Sequence, residues 1–362
     1  MRLMLYMMLP FRFGQTCVAL EPPGLSFRPE IEFEKEKIIM LQSVLWFALG
    51  LVLLIKGGDW FVDGATGIAK RFRLPDIVVG ATVVSIGTTL PEVMVSTTGA
   101  LQGSGAMAYG NAIGSIICNP ALIAAISITC NPGPVNVKSM KTPAVFFFLS
   151  AAIYCLAAYG LGTFPRWLGF VMLTVFVIYM VMTVRNGLRN PDTASEEEEE
   201  GKERQLWQEL LLLVVGAAVI AWGADLLVEH GQIIALELGV PETVVALLFV
   251  ALGTSLPELV TTITSLRKGR ASLGVGNVIG ANIFNLVLVS GVAVSLAPFD
   301  VPVENTLLNT GLNLSLVFDI PVMLGVMSLM IFPALLGKKL SRWQGLVLLG
   351  IYAAFCVCQF VL

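Results

Sequence analysis

Glu92 follows Pro91 in the segment GTTLPE, and 166 residues later Glu258 follows Pro257 in GTSLPE. Both glutamates sit in runs otherwise apolar enough to lie in lipid. There a charged side chain at a helix centre costs roughly 2.5–3.5 kcal/mol on insertion scales. Thr88 and Thr89 precede the first carboxylate by four and three residues, and Thr254 and Ser255 precede the second in the same way. On a helix these offsets put two hydroxyls and a carboxylate on one face. Each proline removes a backbone donor and crowds the preceding turn, which predicts a broken helix. In lipid such breaks survive where the backbone lines a cavity, so freed carbonyls, those of Ser85 and Ala251 foremost, become further oxygen ligands. On the next span Ser115 and Asn119 repeat the four-residue offset, and Asn285 takes the place of Asn119 in the second copy.

Every one of these groups offers oxygen. The chain has a single histidine, His230, and its six cysteines show no metal or disulfide spacing. Hard cations want oxygen shells, and Ca2+ accepts about 6–8 oxygens in flexible geometry, whereas Mg2+ tends to keep its waters. A soft metal would bring Cys or His. Two facing carboxylates with nothing between them repel, so the pair recruits one divalent cation, two or more monovalent ones, or protons. Competition among these for one place is what exchange requires. No resident cofactor is implied, because the cations are substrates. The blander readings are hydroxyls bonded back to their own helices and amides acting as glue between helices.

The elements that hold these groups must cross a membrane. The chain is 56% hydrophobic and 13% charged, with mean hydropathy +0.84, where a soluble protein carries about a quarter charged residues. The net charge of −3 says nothing about nucleic acid and no basic patch suggests such a partner, so the expected partners are inorganic cations and the lipid bilayer. Apolar spans are predicted at about 41–58, 76–100, 106–130, 143–163, 166–184, 208–228, 241–265, 273–297, 314–336 and 343–361. Residues 1–39, proline-rich and charged, read as a disordered N-terminal extension, residues 40–184 as a first five-helix repeat, and 208–362 as a second. The acidic stretch 185–207, with Glu196–Glu200, reads as a solvated cytoplasmic linker.

Lysine and arginine fix the orientation. They occupy the loops after spans 1, 3, 7 and 9 and the central linker, and are absent after spans 2, 6 and 8. Both ends of the ten-span unit therefore lie outside and the linker inside. The halves are copies, since residues 57–119 laid on 223–285 give 22 identities in 63 positions. An odd number of spans per half makes the copies inverted, a transporter plan with the binding site at the repeat interface. The expected fold is thus an all-α integral membrane protein of ten transmembrane helices in two inverted five-helix repeats. Gly110 with Gly114, and Gly276 with Gly280, are small-residue pairs suited to close helix approach. Asp59 and Asp225 match across the repeat near span ends and read as snorkelling or capping groups, and Asp319 as an interfacial start to span 9.

GTTLPE with GNAIGSIICN, and GTSLPE with GNVIGANIFN, closely resemble the two α-repeats of the calcium/cation antiporter superfamily, the sodium/calcium exchanger group. The resemblance covers essentially residues 40–362. It implies an antiporter of Ca2+ against Na+ or H+ that works by alternating access, with spans 1 and 6 sliding against a ligand-bearing core. Glu92 and Glu258 become the central ligands, supported by Thr88, Thr89, Thr254, Ser255, Ser115, Asn119 and Asn285. Ala281 departs from the pattern, because many members carry serine there, opposite Ser115. Asn285 stands where potassium-dependent relatives have an acid. The lack of a long regulatory loop points to a bacterial-type member in the cell membrane. The alternatives are a proton- or sodium-coupled exchanger of another hard cation, a cation channel with a carboxylate ring, and an intramembrane enzyme with paired acids. Broken, inverted repeats disfavour the channel, and the preference of such enzymes for aspartate disfavours the enzyme. No sequence pattern bears on oligomeric state.

Overall fold

The computed structural model describes residues 29–189, 204–238, 253–302 and 312–361. Residues up to Leu41 and residues from Gln42 onward form separate compact units, and the site lies wholly in the second. The helices are α1 (Pro29–Phe72), α2 (Asp76–Leu101), α3 (Gly105–Cys130), α4 (Val137–Leu161) and α5 (Arg166–Arg189) in the first half. The second half has α6 (Leu206–Glu237), α7 (Leu256–Arg267), α8 (Ala271–Leu296), α9 (Ser315–Gly337) and α10 (Arg342–Val361). Eight of these are long and apolar enough to cross a membrane, while the described part of α7 is 12 residues and α10 is 20. The chain is a multi-pass integral membrane protein, almost entirely helical. One boundary differs from expectation. α1 begins at Pro29, so residues 29–39, assigned by composition to a disordered extension, continue the first span as helix. Proline is favoured at a first helical position and Glu and Lys propagate a helix well.

Four two-residue strands report the topology: β1 (Gly133–Pro134), β2 (Thr163–Phe164), β3 (Phe299–Asp300) and β4 (Lys339–Leu340). β1 pairs antiparallel with β4, and β2 with β3. β1 and β3 follow the third helix of their halves, whereas β2 and β4 precede the fifth. Each half thus pairs its own loop with the complementary loop of the other, as a two-fold exchange demands. Beside the β1–β4 pair lie Lys138, in the first turn of α4, and Lys339, within β4, whereas the β2–β3 pair has no lysine beside it and a single arginine, Arg166, at the start of α5. Only loops at the same face of the membrane can pair, so the strands agree with the lysine and arginine asymmetry. Contacts at the basic end agree as well. Arg71 donates to the Arg204 carbonyl, Arg270 pairs with Asp76 at 3.0 Å, and Lys268 with Asp63 at 2.7 Å.

The interior is built from α2, α3 and α8, whose membrane stretches are 61%, 72% and 83% buried, against 22% for α1 and α6. α8 lies on α2 through glycine. A Cβ at Gly280 would come 2.6 Å from the Ala81 Cα, and one at Gly276 2.9 Å from the Ile77 carbonyl carbon. Neither position has room for a side chain, as the small-residue spacing predicted. A Cβ at Gly110 or Gly114, by contrast, meets nothing within 4 Å among the described residues, so that pair makes no such contact there. The repeat counterparts of Ile77 and Ala81, residues 243 and 247, lie outside the described residues, as does the rest of the predicted span from 241 to 252. α1 and α6 meet along a second glycine seam. Cβ atoms at Gly50 and Gly223 would each lie 2.9 Å from the other's carbonyl oxygen, and one at Gly57 would lie 2.9 Å from the Ile220 nitrogen.

Candidate cation site

Glu92 sits on α2 about two turns past a π-helical stretch, Gly80–Val84, and α2 runs on through Pro91 without stopping. The predicted break is therefore absent in the first half. Pro91 instead withdraws the donor due to the carbonyl four residues back, that of Gly87, inside a continuous helix. In the second half the break is present: Ser255 is the residue before α7, Pro257 lies in its first turn, and Glu258 follows at once. The two prolines occupy matched sequence positions and act differently on the backbone.

α3 and α8 each widen into a π-helical stretch that opens on the predicted asparagine, Asn119–Ala124 in α3 and Asn285–Val289 in α8. Such widenings loosen the regular backbone ladder and occur often at functional sites. They are a two-fold feature of the fold, since Asn119 and Asn285 are repeat counterparts.

Glu92 and Glu258 are completely buried, and none of their four carboxylate oxygens has a hydrogen-bond partner among the described residues. The two carboxylates are close enough to interact electrostatically. The Thr88 and Thr89 hydroxyls approach Glu258 from the other half without closing a hydrogen bond to it. The Oγ atoms of Thr89, Ser115 and Ser255 and the Oδ1 atoms of Asn119 and Asn285 are likewise buried and unpartnered. Buried polar groups are hydrogen bonded in the great majority of cases. Here the exceptions include the residues whose spacing suggested cation ligands. The back-bonding reading fails for two of the hydroxyls. Thr88 donates to Asn277 Oδ1 at 3.1 Å and Thr254 to Asn111 Oδ1 at 3.2 Å. Thr82, one turn before Ser85, shows the contrasting behaviour, bonding its own helix at the Val78 carbonyl.

The glue reading holds in part for Asn119. Its Nδ2 donates to Asn282 Oδ1 across the α3–α8 contact at 3.0 Å, while its own Oδ1 stays free. Ser85 donates to the Gly80 carbonyl at 2.8 Å and to Asn277, which fixes α2 to α8. Ala251 lies outside the described residues. Ala281 is buried and offers no oxygen opposite Ser115. Asp59 lies beside Lys268 at 3.7 Å, and Asp319, closing a π-helical first turn of α9, accepts from Gln359 at 2.7 Å. Both are thus tied to neighbours at helix ends, away from the carboxylate pair.

Asn111, Asn277 and Asn282 touch the predicted ligands and were not predicted. Asn111 and Asn277 were legible, since each follows the first glycine of its matched GN motif and the two are repeat counterparts. Asn282 was not, because its counterpart is Ile116. Among the described residues no cluster of three or more His, Cys, Asp or Glu side chains exists. The arrangement is two carboxylates among neutral oxygens, which suits a hard cation.

The model of the sodium/calcium exchanger protein family matches residues 42–185 and 209–361. The chain belongs to that family. It is 31% identical to the sodium/calcium exchanger MaX1 of Methanosarcina acetivorans, over 88% of this chain and 98% of the relative. It is also 31% identical to the inner membrane protein YrbG of Escherichia coli, over 72% of this chain and 82% of the relative. A solved structure of the sodium-calcium exchanger NCX_Mj superposes with a TM-score of 0.72 at 31% identity. That match covers 88% of this chain and 99% of that one.

Proposed function

We propose that the chain is an antiporter that moves Ca2+ across the cell membrane against Na+ by alternating access, with the cation held between Glu92 and Glu258. One observation carries the reading. Two buried carboxylates, one from each half, lie near hydroxyl and amide oxygens that have no partner among the described residues. Two negative charges match one Ca2+ or two Na+, and the neutral oxygens of Thr88, Thr89, Thr254, Ser255, Ser115, Asn119 and Asn285 complete either shell. The carbonyls of Ser85 and Ala251 are the further oxygens in this proposal. Because the same carboxylates cannot serve both loads at full occupancy, the ions compete, and competition couples their gradients.

The moving part is the α1–α6 pair. Glycine contacts lock the two helices to each other, while their low burial leaves them lightly held by the core. The ten-helix count, the inverted repeat and the inside position of the acidic linker belong to the same reading. Transport rather than catalysis is the activity, and no cofactor enters it.

Uptake of 45Ca2+ into inverted vesicles, with a Na+ or a pH gradient imposed, tests the proposal beside Glu92→Gln and Glu258→Gln. Sodium-driven uptake lost in both variants is the expected result. Uptake driven by pH alone would replace Na+ by H+ as the coupling ion. Wild-type exchange in either variant would remove the carboxylates from the site.

A further inference from the structure

A cation ligand must turn its lone pairs toward the ion, so a hydroxyl ligand needs somewhere else to send its proton. The same holds for an amide ligand, which has to present oxygen rather than NH2. In this protein three of the predicted ligands, Thr254, Thr88 and Asn119, have such a partner. Asn111 on α3 places its Nδ2 against the Ser96 hydroxyl at 2.9 Å and the Glu92 carbonyl at 3.4 Å. A carbonyl cannot donate, so the amide nitrogen is on that side and Oδ1 is on the other. There it accepts the Thr254 proton at 3.2 Å. Asn277 on α8, the repeat counterpart of Asn111, accepts the Thr88 proton at 3.1 Å, with its own Nδ2 buried and without a partner among the described residues.

Asn282 completes the set by a different route. Its Nδ2 lies between the Ile116 carbonyl at 3.1 Å and the Met327 sulfur at 3.0 Å, and neither can donate. Its Oδ1 therefore faces Asn119, which must turn its own NH2 to meet it. The consequence is that Asn119 has only its Oδ1 left for the site, and that atom is buried without a partner.

We infer that Asn111, Asn277 and Asn282 are positioning residues that set the polarity of three cation ligands, Thr254, Thr88 and Asn119. None of the three needs to touch the ion. The inference rests on the reading of Glu92 and Glu258 as the cation pair and adds that their neutral neighbours are oriented before the ion arrives. A preoriented ligand spends no energy turning at the moment of binding.

The test is a set of double-mutant cycles read as the Ca2+ concentration for half-maximal exchange. Asn277→Leu is combined with Thr88→Val, Asn111→Leu with Thr254→Val, and Asn282→Leu with Asn119→Ala. Each single asparagine change is expected to raise the half-maximal concentration about 5- to 10-fold, the size of one lost hydrogen bond. If an asparagine acts through its partner, removing both should cost little more than removing the partner alone. Losses that multiply within each pair, or single changes without effect, would overturn the inference and assign the asparagines to packing. Asn111 is only half-buried, so its cycle stands if the fully buried Asn277 change prevents folding, as judged by elution of a single species in detergent. Glu92→Gln serves as the control for the underlying reading. If that variant exchanges normally the cation pair itself is wrong, whereas its loss with multiplying cycles removes this inference alone.

Discussion

Replacing Glu92 by glutamine keeps the side-chain volume and removes one charge, which separates a cation ligand from a structural carboxylate by the sign of two effects. In protein stripped of Na+ and Ca2+, Glu92 and Glu258 face each other fully buried, with four unpartnered oxygens. An ion held in that way carries a penalty of several kcal/mol after relaxation. A glutamine amide in its place still lacks partners, at a cost of about 1–3 kcal/mol. The gap between these two penalties favours the variant by about 1–3 kcal/mol. At about 2 °C per kcal/mol for a chain above the small-domain range, Glu92→Gln should melt about 2–6 °C higher than the wild type without cations.

Adding Ca2+ should reverse the ranking. At about 100 times the dissociation constant, binding stabilises the wild type by about 2.7 kcal/mol. A divalent ion about 2.4 Å from a carboxylate oxygen gains on the order of 10 kcal/mol at an effective dielectric near 20, before its own dehydration is counted. If a third of that survives, losing one carboxylate weakens binding by more than about 100-fold, and the Ca2+-dependent shift disappears. The assay is thermal unfolding in detergent, followed by tryptophan fluorescence, in an organic-cation buffer with and without Ca2+. A variant that melts below the wild type without cations, and keeps the full Ca2+ shift, would refute the reasoning. The carboxylate would then be holding helices together.

Gly280→Val should push α8 off α2, because even a Cβ there would sit 2.6 Å from the Ala81 Cα; overpacking of about 1–3 kcal/mol or more should lower the melting temperature and abolish exchange. Ala281→Ser places a hydroxyl opposite Ser115 at a buried position and should shift Ca2+ affinity by about 2- to 10-fold, read as the half-maximal Ca2+ for exchange. Lys268 pins α1 at its basic end through Asp63 and Asp59. In the other copy the counterparts of these acids are Glu229 and Asp225, but that of Lys268 is the neutral Gln102. With both partners partly exposed the pair contributes about 0.2–1 kcal/mol. Lys268→Gln should therefore shift the ratio of apparent Ca2+ affinities at the two membrane faces by about 2- to 5-fold, and Gln102→Lys should shift it the opposite way.

The duplication and the spans that fall among the described residues were legible because each rests on composition over many residues. The predicted span at 106–130 became α3 (Gly105–Cys130), and that at 273–297 became α8 (Ala271–Leu296). The carboxylate pair was legible because lipid makes a buried glutamate costly enough to need a reason. Local backbone geometry was not. Pro91 suggested a break, yet α2 runs through it while the widening falls earlier, at Gly80–Val84, where α2 presses on the glycines of α8. That widening is set by a neighbour far away along the chain, which no local propensity encodes. The π-helical turns at Asn119 and Asn285 escaped for the same reason. Asn111 and Asn277 were visible in both copies of the GN motif but were overshadowed by the adjoining glycines. Asn282 has no counterpart to draw attention to it.

The departures from the repeat are where the chain's individual behaviour has to come from. In an inverted duplication with identical halves, the inward-open and outward-open states would be related by a two-fold rotation about an axis in the membrane plane and would have equal energy. The cation would see the same ligands from either face. The matched elements, Glu92 with Glu258, Thr88 with Thr254, Asn111 with Asn277 and Asn119 with Asn285, build that symmetric part and hold the charge. The unmatched ones, Ser115 against Ala281, Ile116 against Asn282 and Lys268 against Gln102, break it in different ways. The first two change the oxygen shell on one side of the carboxylate pair, so they act on affinity and ion choice. The third lies at a helix end, clear of the carboxylate pair, so it acts on the balance between states. A substitution at the first kind of position should move the half-maximal Ca2+ at both faces together. A substitution at the third should move the two faces in opposite directions, because it changes no ligand.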